Sequence, residues 1–319
     1  MAPLLSLITV TWNHRLEIDQ FLEAVDKARA TLPFEVELVL VDNASVDGTA
    51  EHVQAAYPWA TVIANGENLG FAEGCNVGLH AARGEFLMLI NPDAFATAEA
   101  LAGMMEFLRA HPKAGAVGCT LLHDDGRPQM SFYPPIGALM YVGYSSIGYP
   151  VLEWIRKQLM RAGLLRYSRP LQCGWLMGSC IMVPRAAHEA VGGLEASYFM
   201  YCEDADWCER IRRAGWEVWF LPELVMHHRQ KGSSRRAAEF TFRRVYRSIV
   251  HYANRNLSGW RRRALLWTMM ADMLARLPVY MVYSLIRPAR RERLASVMKL
   301  FRIALKADPD LYPDPRPGR

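Results

Sequence analysis

An α/β fold is predicted by three features of the sequence: a mostly parallel sheet that turns mixed, helices on both faces, and basic amphipathic helices at the carboxyl end. Short apolar runs alternate with amphipathic stretches through the first hundred residues, the order that builds a parallel sheet covered on both sides. Two of those runs, residues 36–41 and 86–90, are almost wholly apolar and end at polar residues, as inner strands do. From residue 235 the pattern is helical and strongly basic. A chain of 319 residues that is 51% hydrophobic and 22% charged suits one large folded domain with an appendage.

The elements follow in order. Residues 4–11 read as a first buried strand, since the amino terminus lacks the positive region and small-residue cleavage site of a signal peptide. A helix over 16–31, an inner strand over 36–41, a helix over 49–57, a strand over 61–64, a helix over 72–83 and an inner strand over 85–90 come next. A helix over 98–111 and a strand over 114–121 lead to Asp124-Asp125-Gly126, which signals a tight hairpin turn and the start of the mixed part. Residues 133–170 are rich in Pro, Gly and Tyr with little periodicity, the mark of a functional loop or a mobile segment, expected to border the acceptor. A strand over 174–183, a helix over 203–214, short strands over 216–221 and 224–227, and helices from 235 to 306 complete the set. The Pro-rich end, 307–319, is expected to be a disordered tail.

The net charge of +5 conceals an asymmetry. Residues 1–228 hold 16 Lys/Arg against 26 Asp/Glu, a net of −10, whereas residues 229–306 hold 19 against 3, a net of +16. Such a segment suits nucleic acid or anionic lipid, and its interleaved Leu, Trp, Met and Tyr favour an anionic membrane surface with no nucleic-acid role. Within it, 261–286 is long enough to suggest a span, but Asp272, Arg276 and Pro278 near its middle favour helices lying in the interface. A basic bundle packed on the rest of the chain, or on a second subunit in a homo-oligomer, is the plainer alternative. The six cysteines form no C-x-x-C pair and read as reduced thiols.

Polar residues just beyond strand ends are the candidates for chemistry, because open α/β sheets bind ligands there. Asp42 is the first polar side chain after an inner strand and suits a base or ribose; the alternative is that Asp42 and Asp47 shape a turn and start the next helix. Gly70, Gly74 and Gly78 recur every four residues, which suits close helix–sheet packing or a helix start open to a diphosphate. Neither phosphate-loop nor dinucleotide glycine motifs occur. Asn91-Pro92-Asp93 follows the strongest apolar strand, so Asp93 is presented to a hard cation or caps the helix over 98–111. Glu203-Asp204-x-Asp206 opens a helix after Tyr198-Phe199-Met200-Tyr201, where aromatic walls would raise the basicity of an acid. His227 and His228 end the last short strand, either as structural residues or as partners of a cation.

In order and combination these segments resemble the family 2 glycosyltransferases of the GT-A fold, and within them the rhamnosyltransferase-like enzymes of cell-wall and O-antigen synthesis. The landmarks, spread over roughly residues 4–255, are Val10-Thr11-Trp12-Asn13, Val41-Asp42-Asn43-Ala44-Ser45-x-Asp47-Gly48-Thr49, Asn68-Leu69-Gly70-Phe71-Ala72 with Asn76, Asn91-Pro92-Asp93, Gly178-Ser179-Cys180, Glu203-Asp204-x-Asp206, and His228 before Gly232-Ser233-Ser234. The resemblance implies a catalytic domain over 1–234, with a nucleotide-binding half to about 120 and an acceptor half beyond it, a basic helical membrane-associating appendage over 235–306, and the tail.

It implies a role for each matched residue. Thr11, Asn13, Asp42, Asn68, Gly70, Asn76 and Asn91 would face the nucleotide, and Asp93 with His228 would hold Mg²⁺ or Mn²⁺. The family's acidic pair at that point is reduced to one Asp, because Asn91 fills the first place. His228 fits the spacing from Pro222-Glu223 better than His227. Asp204, beside Glu203, would be the catalytic base, with Trp175, Gly178, Ser179 and Asp206 toward the acceptor. The implied activity is inverting, metal-dependent transfer of a sugar, L-rhamnose from dTDP-L-rhamnose, to a hydroxyl of a lipid-linked or polysaccharide acceptor. Its implied place is peripheral, at the cytoplasmic face of the cell membrane. UDP-sugars are the next donors, and a binding protein without catalysis is the competing class. A nucleotidyltransferase is disfavoured because Thr11-Trp12-Asn13-His14 stands where a glycine- and arginine-rich loop would serve a triphosphate.

Overall fold

The computed structural model describes residues 4–144, 151–152, 154–155, 158, 168–229, 238–286 and 291–308. The expected disordered tail lies outside them, apart from Ala307 and Asp308. The chain forms two compact units, Met1–Pro134 with Ser168–Gly232, and Pro135–Tyr167 with Ser233–Pro315.

In the first unit, strands β1 (Leu5–Thr11), β2 (Val36–Asp42), β3 (Thr61–Ala64) and β4 (Phe86–Ile90) run parallel in the order β3-β2-β1-β4. The sheet continues through β10 (Cys180–Pro184), β6 (Ala114–Leu122), β11 (Glu217–His228) and β5 (Ala94–Phe95), with β8 (Leu171–Gln172) also on β11. Strand β10 is antiparallel to both neighbours, so the sheet is mixed as expected. A separate ribbon pairs β7 (Phe132–Tyr133) with β9 (Trp175–Leu176). Every residue of β2 and β4 is buried, which is why those strands read as apolar runs. The chain leaves β1 toward β2 and β3 and returns on the other side of β1 as β4. That reversal opens a crevice at the carboxyl ends of β1 and β4.

Helices α1 (Ile18–Thr31), α2 (Thr49–Ala56), α3 (Gly70–Ala81) and α4 (Ala98–Ala110) fill the crossovers. The glycines of α3 settle their own question: a Cβ at Gly74 would lie 2.9 Å from Val10 Cγ1, and one at Gly78 would overlap Ile8 Cγ2. Close packing on β1 is therefore the reason for Gly74 and Gly78, whereas Gly70, at φ +85°, lies against Phe199. Ile8 is fully buried and β-branched, so its methyl has no room to turn. Gly78→Ala is expected to destabilise the fold by about 1–3 kcal/mol through overpacking, read as a lower urea midpoint; an unchanged midpoint would show the helix free to shift.

Several expectations change. The run 174–183 is two strands, because residues 177–179 turn between β9 and β10. The two short strands expected over 216–227 are one, β11, kept continuous by a bulge between Leu221 and Val225. Asp124-Asp125-Gly126 does turn, with Gly126 at φ +76°, but only a single bridge, Leu122 to Pro128, follows it. Helix α5 (Ala138–Tyr144) lies inside the expected loop 133–170, and α6 (Arg185–Val191) was not anticipated. Helix α7 (Glu203–Arg213) stands as expected.

The second unit contains α5, α8 (Ala238–Asn256), α9 (Gly259–Ile286) and α10 (Arg291–Lys306), with α9 packed on the other three. Helix α5, whose residues were expected with the acceptor half, belongs to this unit. Among the described residues no helix is long and apolar enough to cross a membrane.

Candidate active site

The carboxyl ends of β1 and β2 gather the first cluster. Asp42 is buried, and its carboxylate accepts from Thr11 Oγ1 (3.1 Å), Ser45 Oγ (2.5 Å) and Ser45 N (2.8 Å). It thus shapes its turn, and the roughly four acceptor positions of a carboxylate leave one for a ligand. Asn13, at φ +56°, accepts from Val46 N and receives Ser45 Oγ at its own N–H. Asp47 accepts from Thr49 N, Thr49 Oγ1 and Arg15 N, the turn-forming role foreseen as its alternative. Asn43 connects this loop to α3 by donating to Gly70 O (2.8 Å).

The start of α3 is less open than its sequence suggested. Gly70 N–H donates to Asn68 Oδ1 and Phe71 N–H to Phe199 O, so these two amides are engaged within the protein. Asn76, expected near the nucleotide, exchanges two hydrogen bonds with the Leu194 backbone and donates to Glu73. It braces α3 against the loop before α7.

The second cluster joins the turn after β4 to the end of β11. Thr97 caps α4 by accepting from Ala100 N, which removes the capping account of Asp93. Asp93 Oδ1 lies 3.1 Å from His228 Nε2. Strand alternation makes the choice between the histidines: His228 points inward and is buried, while His227 is exposed. Gln129 Nε2 donates to the His228 carbonyl, which turns Gln129 Oε1 toward His228 Nδ1 at 2.8 Å. A carbonyl can only accept, so this arrangement places the ring proton on Nδ1 and aims the Nε2 lone pair at Asp93. Two acceptors face to face require a cation between them, a proton or a metal ion. Burial pushes the Asp93 carboxyl up, but the hydrogen bond and charge of His228, with the charge of His14, outweigh it and hold the group below its ordinary value.

Among the described residues no three His, Cys, Asp or Glu side chains gather into a metal cage. A divalent cation shared with phosphate oxygens takes only one or two protein ligands, so the Asp93–His228 pair fits it.

The third cluster sits where β10 meets α7. Asp204 Oδ2 accepts from Gly178 N (2.9 Å) and Oδ1 from Ala205 N (2.8 Å). Tyr201 and Cys202 both adopt positive φ, +74° and +67°, directly before the two acids, backbone strain of the kind that collects at functional sites. Burial raises Asp204 to about 6, despite those two backbone donors. Burial first, and the charge of Asp204 second, push Glu203 well above the usual carboxylate range. Two adjacent acids are thereby separated, and Asp204 is the one placed to accept a proton near neutral pH.

Hydrogen bonds link the second and third clusters: Ser179 O accepts from Asn91 N (3.2 Å), two residues before Asp93, while the neighbouring Gly178 holds Asp204. A Cβ at Gly178 would stand 3.3 Å from the Phe71 ring and 3.5 Å from Asp204 Oδ2, a tight fit beside the acid. Asn91 Oδ1, Ser179 Oγ, Trp175 Nε1 and Glu203 Oε2 are buried with no hydrogen-bond partner among the described residues. Buried polar atoms without partners are rare and call for an explanation such as a catalytic role or a bound water or ion. Trp175 stacks on Tyr133 with centroids 4.2 Å apart.

Asp206 is a correction. It is fully buried and pairs with Arg210 (2.8 Å), which also donates to Val191 O and Gly193 O, so its position one turn before Arg210 makes it a clamp on the end of α6. Ser45, Asn43 and Gln129 were missed. Ser45 and Asn43 stand inside the quoted motif without having been given a role, whereas Gln129 carries no local signal. All six cysteines are free thiols, as expected.

Over 315 residues the chain is 29% identical to the N-acetylglucosaminyl-diphospho-decaprenol L-rhamnosyltransferase of Mycobacterium tuberculosis, covering 93% of this chain and 99% of that protein. Over a shorter stretch, 25% of this chain and 31% of the other, it is 32% identical to the rhamnosyltransferase WbbL of Escherichia coli. Among solved structures, the mannosyltransferase PcManGT of Pyrobaculum calidifontis, in complex with GDP-Man and Mn²⁺, superposes with a TM-score of 0.56 at 20% identity over 96% of this chain and 87% of that one. S. aureus TarS residues 1–349, in complex with UDP-GlcNAc, gives 0.53 at 15% identity over 95% and 91%. These likenesses show a shared GT-A fold. The model of glycosyl transferase family 2 matches residues 6–192, more than half of the chain and the span that holds Asp42, Asp93 and Gly178, and the chain therefore belongs to glycosyltransferase family 2.

Proposed function

We propose that this glycosyltransferase moves L-rhamnose from dTDP-L-rhamnose to a hydroxyl of a lipid-linked saccharide, with inversion, at the cytoplasmic face of the membrane to which it binds peripherally. The observation that carries the chemistry is Asp204, a buried carboxylate raised to about 6 and fixed by the Gly178 and Ala205 amides. The full-length likeness to a rhamnosyltransferase acting on a diphospho-decaprenol saccharide supports the donor sugar and the acceptor class.

The residues divide the work. Asp42, held by Thr11 and Ser45, offers its remaining acceptor position to the base or ribose, and Asn13 shapes the loop beside it. Asp93 and His228 would hold Mg²⁺ or Mn²⁺. When bound, that ion neutralises the charge developing on the departing diphosphate. Asn91 Oδ1 and Ser179 Oγ provide polar contacts for a sugar between the clusters. Asp204 accepts the proton of the acceptor hydroxyl as its oxygen bonds to the anomeric carbon. The bond from that carbon to the diphosphate breaks on the opposite face, so a single displacement inverts the configuration. Trp175, beside Gly178, offers an aromatic surface to the acceptor.

The test is product formation from dTDP-L-rhamnose, UDP-sugars and GDP-sugars on a polyprenyl-diphosphate saccharide, with Mn²⁺ or with chelator, and the anomeric configuration read by NMR. Transfer of rhamnose only, lost with chelator and inverted at the anomeric carbon, is expected. Turnover of a UDP-sugar instead would move the donor assignment, and a retained configuration would remove Asp204 as the base of a single displacement.

A further inference from the structure

In the second unit, helix α9 buries its central charged pair among Leu265, Met269 and Met273 and turns a row of large apolar side chains outward. Its one acid, Asp272, is buried, pairing with Arg276 (2.7 Å) and accepting from Tyr246 OH (3.0 Å) and more distantly from Tyr141 OH (3.5 Å). These are the charges that spoke against a membrane span in the sequence, and they face the interior of the bundle. Between 264 and 281 the exposed residues, among those described, are Trp267, Ala271, Leu274, Ala275, Pro278 and Met281.

Trp260, Trp267, Leu274 and Met281, each more than half exposed, recur every seventh residue. Drift of about 20° per heptad keeps them within one face, and at 1.5 Å per residue the row is about 32 Å long. Arg261, Arg262 and Arg263 lie exposed at its start.

We infer that this face of α9 lies on an anionic lipid bilayer, with the tryptophans and Leu274 at the acyl boundary and the three arginines on headgroup phosphates. The inference rests on the peripheral-membrane reading above and names the surface responsible. Charge decides the occupant, since residues 229–306 carry a net +16. A parallel second copy of α9 would bring the same arginines together, and the face makes a poor seam in either register: with Trp267 at a, the d positions Met270 and Leu277 are buried and half-buried, and with Trp267 at d, the a positions are Ala264, Ala271 and Pro278.

The experiment is co-sedimentation of the full chain with phosphatidylcholine vesicles, with and without phosphatidylglycerol, for the wild type and for Trp267→Glu with Leu274→Glu. Binding of the wild type to the anionic vesicles is expected. The double variant should bind ~tenfold or more weakly, with unchanged melting and unchanged transfer to a water-soluble acceptor. If the wild type fails to bind, the peripheral reading falls and this inference with it. If both proteins bind alike, the reading stands and the face is wrong. A variant that binds vesicles normally but changes mass in light scattering would make the face a contact between copies, overturning the inference. Should the double variant lose its cooperative melt, quenching by lipids brominated in their acyl chains decides the matter. Wild-type fluorescence should be quenched more than that of Trp267→Phe, and equal quenching would overturn the inference.

Discussion

Asp204→Asn is expected to lower kcat by ~10³-fold or more, the upper part of the range for removing a general base, while donor affinity stays within about threefold. Burial sets the accompanying pH dependence. The raised group, near 6, holds its proton in acid, so wild-type kcat/KM should fall as pH drops through about 6. The sign for stability is opposite to that for activity. A carboxyl whose folded value lies above its unfolded value contributes stability that is fully present below the unfolded value, about 3.9, and is lost as pH rises through about 6. At neutral pH the ionised Asp204 therefore burdens the fold that uses it. Asn removes the charge but leaves one of the Gly178 and Ala205 amides without its acceptor, a loss of about 1 kcal/mol. The two changes oppose each other, and melting close to wild type is expected. A variant keeping more than about a tenth of the rate, or a wild-type rate that stays level well below pH 6, would place the base elsewhere.

The sequence was most legible where side chains repeat with the period of their element. Continuous burial of β2 and β4 gave apolar runs bounded by Asp42 and Asn91, and the alternation of β11 separates His228 from His227. Residues whose meaning depends on a distant partner were not legible. Asp206 resembles Asp204 in sequence, yet only the carbonyls of Val191 and Gly193, gripped by Arg210, show that it faces the protein interior. Asn76 looks free until Leu194, 118 residues away, takes up its amide. Gln129 reaches His228 across 99 residues. Turns hidden in apolar surroundings were also lost, as at 177–179, where the pause between β9 and β10 presents Gly178 to Asp204.

Asp93→Ala is expected to cost transfer ~10³-fold or more, by loss of the charge that holds the ion at the leaving group. Its signature lies in binding. Nucleoside-diphosphate affinity without metal should be unchanged, because Thr11, Asp42 and Asn13 are untouched, while the gain in affinity given by Mn²⁺ should vanish. The geometry separates this from a structural effect. Asp93 is held below its ordinary value chiefly by His228, against the pull of burial, so it contributes stability above its unfolded value that is lost as pH falls through the folded one. The Ala variant should therefore melt lower at neutral pH and approach wild type in acid. Gln129→Leu supplies the internal control. It leaves both first partners in place but frees the His228 ring to turn and change tautomer, and loss of such a support weakens metal affinity by about 10–100-fold. Isothermal titration with Mn²⁺ and dTDP should rank wild type above Gln129→Leu above Asp93→Ala. Mn²⁺ that still tightens dTDP binding in Asp93→Ala would sink the assignment, because the lone pair of His228 Nε2 would then be aimed at nothing but a proton.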